Sequence, residues 1–94
     1  MIRLEIIANN SVEENILDEF KSSGVAKHYT KIPNIHGVGS SGSRLGDPIW
    51  PEENFSFVIW CEEEEAALIK EAVKRVKSSF PNEGVKVFSL SSVS

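Results

Sequence analysis

A single cysteine, Cys61, leaves the chain without any possible internal disulfide. Together with the lack of a leader-like start, this sets a reducing, cytoplasmic location as the expectation. No apolar run approaches the ~20 residues that a helix needs to cross a bilayer. Charge enters at once in Met1-Ile2-Arg3-Leu4-Glu5, unlike a secretory leader, so no membrane insertion is expected. Basic residues are also scarce. Ten Lys and Arg against 14 Asp and Glu give a net charge of −4, the wrong sign for a domain that displaces phosphate counterions, and no nucleic-acid partner is expected. Finally, there is little length. Ninety-four residues make one domain, 1–94, with no room for a separate cofactor module, and the residues name no cofactor.

What is present alternates clearly. Ile2, Leu4, Ile6 and Ala8 interleave with Arg3, Glu5 and Ile7 as a strand that ends at Asn9-Asn10. Ser11 and Glu14 read as a capping box that opens a helix. Val12, Ile16, Leu17 and Phe20 share its apolar face, and Gly24 is its left-handed stop. Residues 25–32 are rich in β-formers and predict a second strand closed by Pro33. A third strand runs from Phe55 to Cys61. A second helix carries Ala66, Ile69, Val73, Val76 and Phe80 on one stripe, with Ala72 beside it. Its acids Glu62 to Glu65 and its bases Lys70, Lys74, Arg75 and Lys77 suit the two ends of the helix dipole. Pro81-Asn82-Glu83-Gly84 makes a turn, residues 85–90 make a last strand, and Ser91 to Ser94 should fray.

The order β-α-β-β-α-β predicts an α+β, ferredoxin-like sandwich: a four-stranded antiparallel sheet with both helices on one face. The other face should then be polar, yet Val58 and Trp60 fall on it, and so does Ile7. Apolar groups on an open sheet face point to packing against another copy of the chain; the alternative is a single tolerated surface Trp.

Residues 33–53 follow neither a helical nor a strand period, and a connection that long in so small a domain is either functional or a plain linker. Gly37-Val38-Gly39-Ser40-Ser41-Gly42 spells G-x-G-x-x-G, but Gly46, Pro48 and Pro51 follow where the dinucleotide motif needs a helix to begin. Two readings remain. The glycines can turn their amides inward as an anion nest, helped by the hydroxyls of Ser40, Ser41 and Ser43 and the fork of Arg44. Or the segment is a Gly/Ser linker without a ligand. His28 and His36 have no further ligand at metal-binding spacing, so no metal is assigned. Cys61 closes an apolar strand and reads as a buried, inert thiol. No pair of carboxylates suits acid–base work, and no catalytic residue is assigned.

Two segments carry a resemblance. Tyr29-Thr30-Lys31-Ile32-Pro33-Asn34-Ile35-His36-Gly37-Val38-Gly39 and Arg44-Leu45-Gly46-Asp47-Pro48-Ile49-Trp50-Pro51-Glu52-Glu53-Asn54, in this order of elements, resemble the loop roots of the PII-like superfamily of small trimeric signalling proteins. The resemblance covers nearly the whole chain. It implies a homotrimer, a mobile T-loop over 33–53 that can also meet a protein partner, and a small anionic ligand bound between subunits. Carried over residue by residue, the ligand-binding set is Lys31, His36, Gly37, Gly39, Ser40, Ser41, Gly42, Arg44, Gly84 and Lys86. Two departures bear on ATP. Ser40-Ser41 stand where ATP-binding members of the family carry basic residues, and no arginine follows Arg75. The expected function is therefore a PII-like regulator, not an enzyme, that binds a nucleotide or a carboxylate-type anion. The alternatives are a small ferredoxin-like enzyme of the dimeric α/β-barrel oxygenase type, with Trp60 or Trp50 beside His28, or a CutA-like divalent-metal protein.

Overall fold

The computed structural model describes residues 1–36 and 53–91. These form strand β1 (Ile2–Asn9), helix α1 (Glu13–Ser23), strands β2 (Thr30–Ile35) and β3 (Asn54–Cys61), helix α2 (Glu63–Ser79) and strand β4 (Val85–Ser91). The sheet order is β2-β3-β1-β4 and every pairing is antiparallel, which is the ferredoxin-like arrangement that the element order predicts.

Alternation along β1 decides which face is covered. Ile2, Leu4, Ile6 and Ala8 are buried, and through the register with β3 they lie beside Cys61, Ile59, Phe57 and Phe55. Val12, Ile16 and Phe20 close over this face from α1 and its entry turn, and Ala66, Ile69, Ala72, Val73 and Val76 do so from α2. Three rings converge on Phe57, with centroids at 4.7 Å for Phe55, 4.7 Å for Tyr29 and 6.4 Å for Phe20. The helices are also tied to each other by Arg75, whose Nε donates to Glu19 and whose guanidinium donates to Ser23 Oγ.

Four local expectations need correction. Ser11 does not cap α1. Asn9 Oδ1 accepts the Ser11 N–H at 2.9 Å, and a 3-10 turn over Asn10–Val12 leads into the helix. An asparagine at the strand end takes the amide two residues on, and so pre-empts the serine. Nor is 25–32 a strand closed by Pro33. Val25 and Ala26 are buried outside the sheet, and Ala26 gives its N–H to Glu65 Oε2 at 2.8 Å instead of to a strand. β2 starts at Thr30 and runs through Pro33 to Ile35, so 33–35 belong to the sheet. An edge strand tolerates a residue with no N–H. The register slips between Ile32 and Ile35, where Asn34 takes a left-handed φ of 58°. Phe80 is not on the buried stripe but is the half-exposed C-cap of α2. Ser91 pairs with Ile2 as the last residue of β4. Gly24, by contrast, ends α1 as expected, at φ 67°.

The uncovered sheet face is apolar over much of its area. Arg3 is flanked by Leu90 and Trp60, Glu5 by Phe88 and Val58, and Ile7 by Lys86 and Ser56, with Ile32 next in the row. Trp60, Leu90, Phe88 and Ile32 are each about half exposed or more. Arg3 and Glu5 pair at 3.6 Å in the middle of this face, and the Arg3 guanidinium lies 6.0 Å from the Trp60 ring centroid.

Candidate functional site

Antiparallel pairing brings four chain segments to one end of the sheet, the entry into β3 through Glu53 and Asn54 among them. β1 ends there at Asn9, opposite Asn54, and β2 leaves there through Ile35 to His36. β4 enters there from the Gly84 turn, since Ala8 faces Val85. The β1–α1 junction fastens two of these segments. Asn9 donates its N–H to the Gly84 carbonyl at 3.0 Å, and Asn10 donates its N–H to the Glu53 carbonyl at 2.8 Å. The Asn10 side-chain amide adds a bond to the Glu53 carboxylate at 3.3 Å. One root of the long connection and the glycine turn thus hang from consecutive residues.

His36, Gly84 and Lys86 all lie at this end and are exposed. A methyl group built on Gly84 would meet nothing within 4 Å, so its backbone is open to approach. Lys31 behaves differently. Its ammonium lies 2.9 Å from the Glu13 carboxylate of α1 and 5.8 Å from the centre of the Phe55 ring, so its charge is already matched. Gly37, Gly39, Ser40, Ser41, Gly42 and Arg44 lie outside the described residues.

Spacing limits what one chain can hold. β2 and β4 are the two edge strands, three strand separations apart, which is roughly 14 Å. Lys86 and His36 thus leave the sheet from opposite edges, and a ligand the size of bicarbonate fills only part of the gap between their backbones. An elongated anion could span the gap, or a second subunit could bring its own root close.

The opposite end of the sheet has a separate depression of about 310 Å³ between Gly24, Lys27, His28, Ile59, Trp60 and Glu65. His28 and Trp60 do share a surface, as the oxygenase alternative requires, but no asparagine is among its lining residues. Among the described residues there is no group of three or more His, Cys, Asp or Glu able to hold a metal ion. No helix among them is long and apolar enough to cross a membrane.

Cys61 is buried at the end of β3. Burial pushes its thiol pKa up, Glu65 and Glu62 add to the shift, and Lys70 and the N-terminus oppose it. The thiolate is thus disfavoured in the folded chain. At pH 7–8, alkylation by iodoacetamide should run at least about tenfold slower than on the urea-unfolded protein. The unfolded chain also loses its thiol proton first. This group therefore leaves stability unchanged below about pH 8.5 and lowers it as the pH rises above that value. Equal alkylation rates in the two states would show an accessible thiol instead.

The residues that sequence reasoning passed over are Phe88 and Leu90 on the open face and Lys77 beside the glycine turn. The first two had a signal: Val85 and Val87 alternate with Lys86, Phe88 and Leu90, so one of the two faces had to show large apolar groups. Lys77 had none, because its contacts appear only once the turn folds back on α2.

No protein-family model matches the chain, and no curated protein sequence matches it. Solved structures do. CPII, a nitrogen regulatory PII-like protein from Thiomonas intermedia, matches in its complex with ADP, AMP and bicarbonate at a TM-score of 0.71 and 25% identity, over 95% of this chain and 82% of that one. Its complex with ADP and bicarbonate matches at 0.70 and 26% identity, over 95% and 82%. Its apo form matches at 0.65 over 95% and 87%, where the 20% identity speaks for the fold alone. The likeness supports a PII-like superfamily relationship at low sequence identity.

Proposed function

We propose that the chain, acting as a single domain over 1–94, is a cytoplasmic PII-like regulator and not a catalyst. It assembles as a homotrimer through the open sheet face and binds a small anionic ligand, a nucleotide or a carboxylate-type anion, between subunits. The observation that carries this reading is the gathering of His36, the Glu53 root and the Gly84–Lys86 turn at one end of the sheet. Their spread across the four strands favours a site completed by a neighbouring copy. The CPII structures, which hold ADP, AMP and bicarbonate, support an anion of this kind as ligand. In this reading Gly37, Gly39, Ser40, Ser41, Gly42 and Arg44 close over the ligand. His36, Gly84 and Lys86 meet it from the sheet end, and Lys31 acts at the root through its bond to Glu13. Segment 33–53 is also where a protein partner would sense the bound state. A ligand shifts such a segment only by preferring one of its states.

Calorimetric titration with ADP, AMP and bicarbonate tests the proposal. At least one should bind, and Arg44→Ala should weaken it by about 1.5–3 kcal/mol, the worth of a charge-assisted hydrogen bond. If none of the three produces a binding isotherm, the proposal fails.

A further inference from the structure

The last turn of α2 reaches into the glycine turn through one side chain. Lys77 Nζ donates to the Pro81 carbonyl at 3.2 Å and to the Glu83 carbonyl at 2.6 Å. Two further carbonyls of the same turn are also occupied: Phe80 accepts the Glu83 N–H at 3.0 Å, and Gly84 accepts the Asn9 N–H at 3.0 Å. The carbonyls of Phe80, Pro81, Glu83 and Gly84 are thus all engaged. Lys77 supplies the only cationic donor in that set, because Phe80-Pro81-Asn82-Glu83-Gly84 has no basic residue of its own.

This matters because of where the turn lies. α2 ends at Ser79, and a helix C-terminus presents unsatisfied carbonyls and the negative end of its dipole. The turn itself adds the Glu83 carboxylate to that negative potential. An anion approaching Gly84 and Lys86 from solution would meet carbonyl lone pairs and repulsion. An ammonium bonded to two of these carbonyls removes the acceptors from the surface and offsets the charge.

We infer that Lys77 is a positioning residue for anion binding at the Gly84 turn: it holds the Pro81 and Glu83 carbonyls and thereby sets the backbone and the local potential against which the anion docks. The inference rests on the ligand site proposed above and adds a residue that lies outside the proposed ligand-binding set. Lys77 does its work through the turn and needs no contact with the ligand.

The test uses the full chain with ADP as probe, in Lys77→Met and Lys77→Arg forms, read by calorimetry, thermal melting and amide hydrogen exchange at residues 83–86. Lys77→Met keeps the aliphatic stem and removes the donor. It should weaken ADP binding about tenfold, leave the melting temperature nearly unchanged, and speed exchange in the turn. Lys77→Arg should bind ADP within about twofold of the parent, since its fork can still donate to both carbonyls. ADP affinity in Lys77→Met equal to the parent overturns the inference, as does a loss that only follows a fall in melting temperature. If the parent binds no ADP, AMP or bicarbonate, the ligand proposal fails by itself. The exchange arm then still decides whether Lys77 orders the turn, and unchanged exchange in Lys77→Met overturns that role.

Discussion

Phe88→Asp combined with Leu90→Asp is expected to reduce the assembly from three times the chain mass to the single-chain 10.4 kDa in light scattering. Both side chains stand on the open face of β4, 53% and 66% exposed, so neither carboxylate enters the core of the chain. The fold should therefore survive, with an unchanged far-ultraviolet circular dichroism spectrum. In the proposed trimer the same positions would be sealed against a neighbour. An uncompensated charge in such a contact costs about 3–5 kcal/mol, and the double variant places two per subunit. Few oligomers of small subunits have that much association energy to spare. Arg3 cannot rescue both carboxylates, because it lies opposite Leu90 alone and is already shared between Glu5 and the Trp60 ring. A parent protein that already scatters as a 10.4 kDa particle would refute the assembly, as would a double variant of unchanged mass.

Phe57→Ala should lower the stability of the chain by about 3–5 kcal/mol. The side chain is fully buried in the middle of β3, and the rings of Phe55, Tyr29 and Phe20 all lean on it. Removing it opens a hole that strand and helix cannot both move to close. A chain of this length has only roughly 5–14 kcal/mol in hand, so about a fifth of it or more would vanish. In urea, with an m-value of about 1.5 kcal/mol/M, the midpoint should fall by roughly 2–3 M at fixed protein concentration. A shift under about 0.5 M would mean that Phe57 does not hold sheet and helices together.

Elements with a strict period were readable from the residues. Ile2, Leu4, Ile6 and Ala8 announce their face because a strand has a period of two, and the α2 stripe does so because a helix turns every 3.6 residues. Gly24 could be placed for a similar reason, since few residues other than glycine accept a left-handed φ. The misplacements share a different cause. Pro33 reads as a stop until β2 is known to be an edge strand, which is a fact about tertiary neighbours. Ser11 caps nothing because Asn9 Oδ1 takes its N–H and a 3-10 turn intervenes, so that α1 begins after Val12 with no side-chain cap. At the site, His36, Gly84 and Lys86 could be singled out from the chain, but the bond from Lys31 to Glu13 joins residues 18 positions apart and has no local signature. Lys77 escaped notice for the same reason: a lysine in a last helical turn is ordinary until its acceptors are known.

The left-handed Asn34 and the N–H-less Pro33 on β2 also limit how this protein can go wrong. A sheet with two open edges can add copies at both sides and grow into a ribbon without end. Here β2 offers a broken ladder at one edge, so strand addition is left to β4 alone. Two chains that paired through β4 would expose only their blunt β2 edges, and growth would stop at a pair. Endless edge-to-edge templating is thus opposed by two residues, and beyond a β4 pair the face is the route by which further copies can meet.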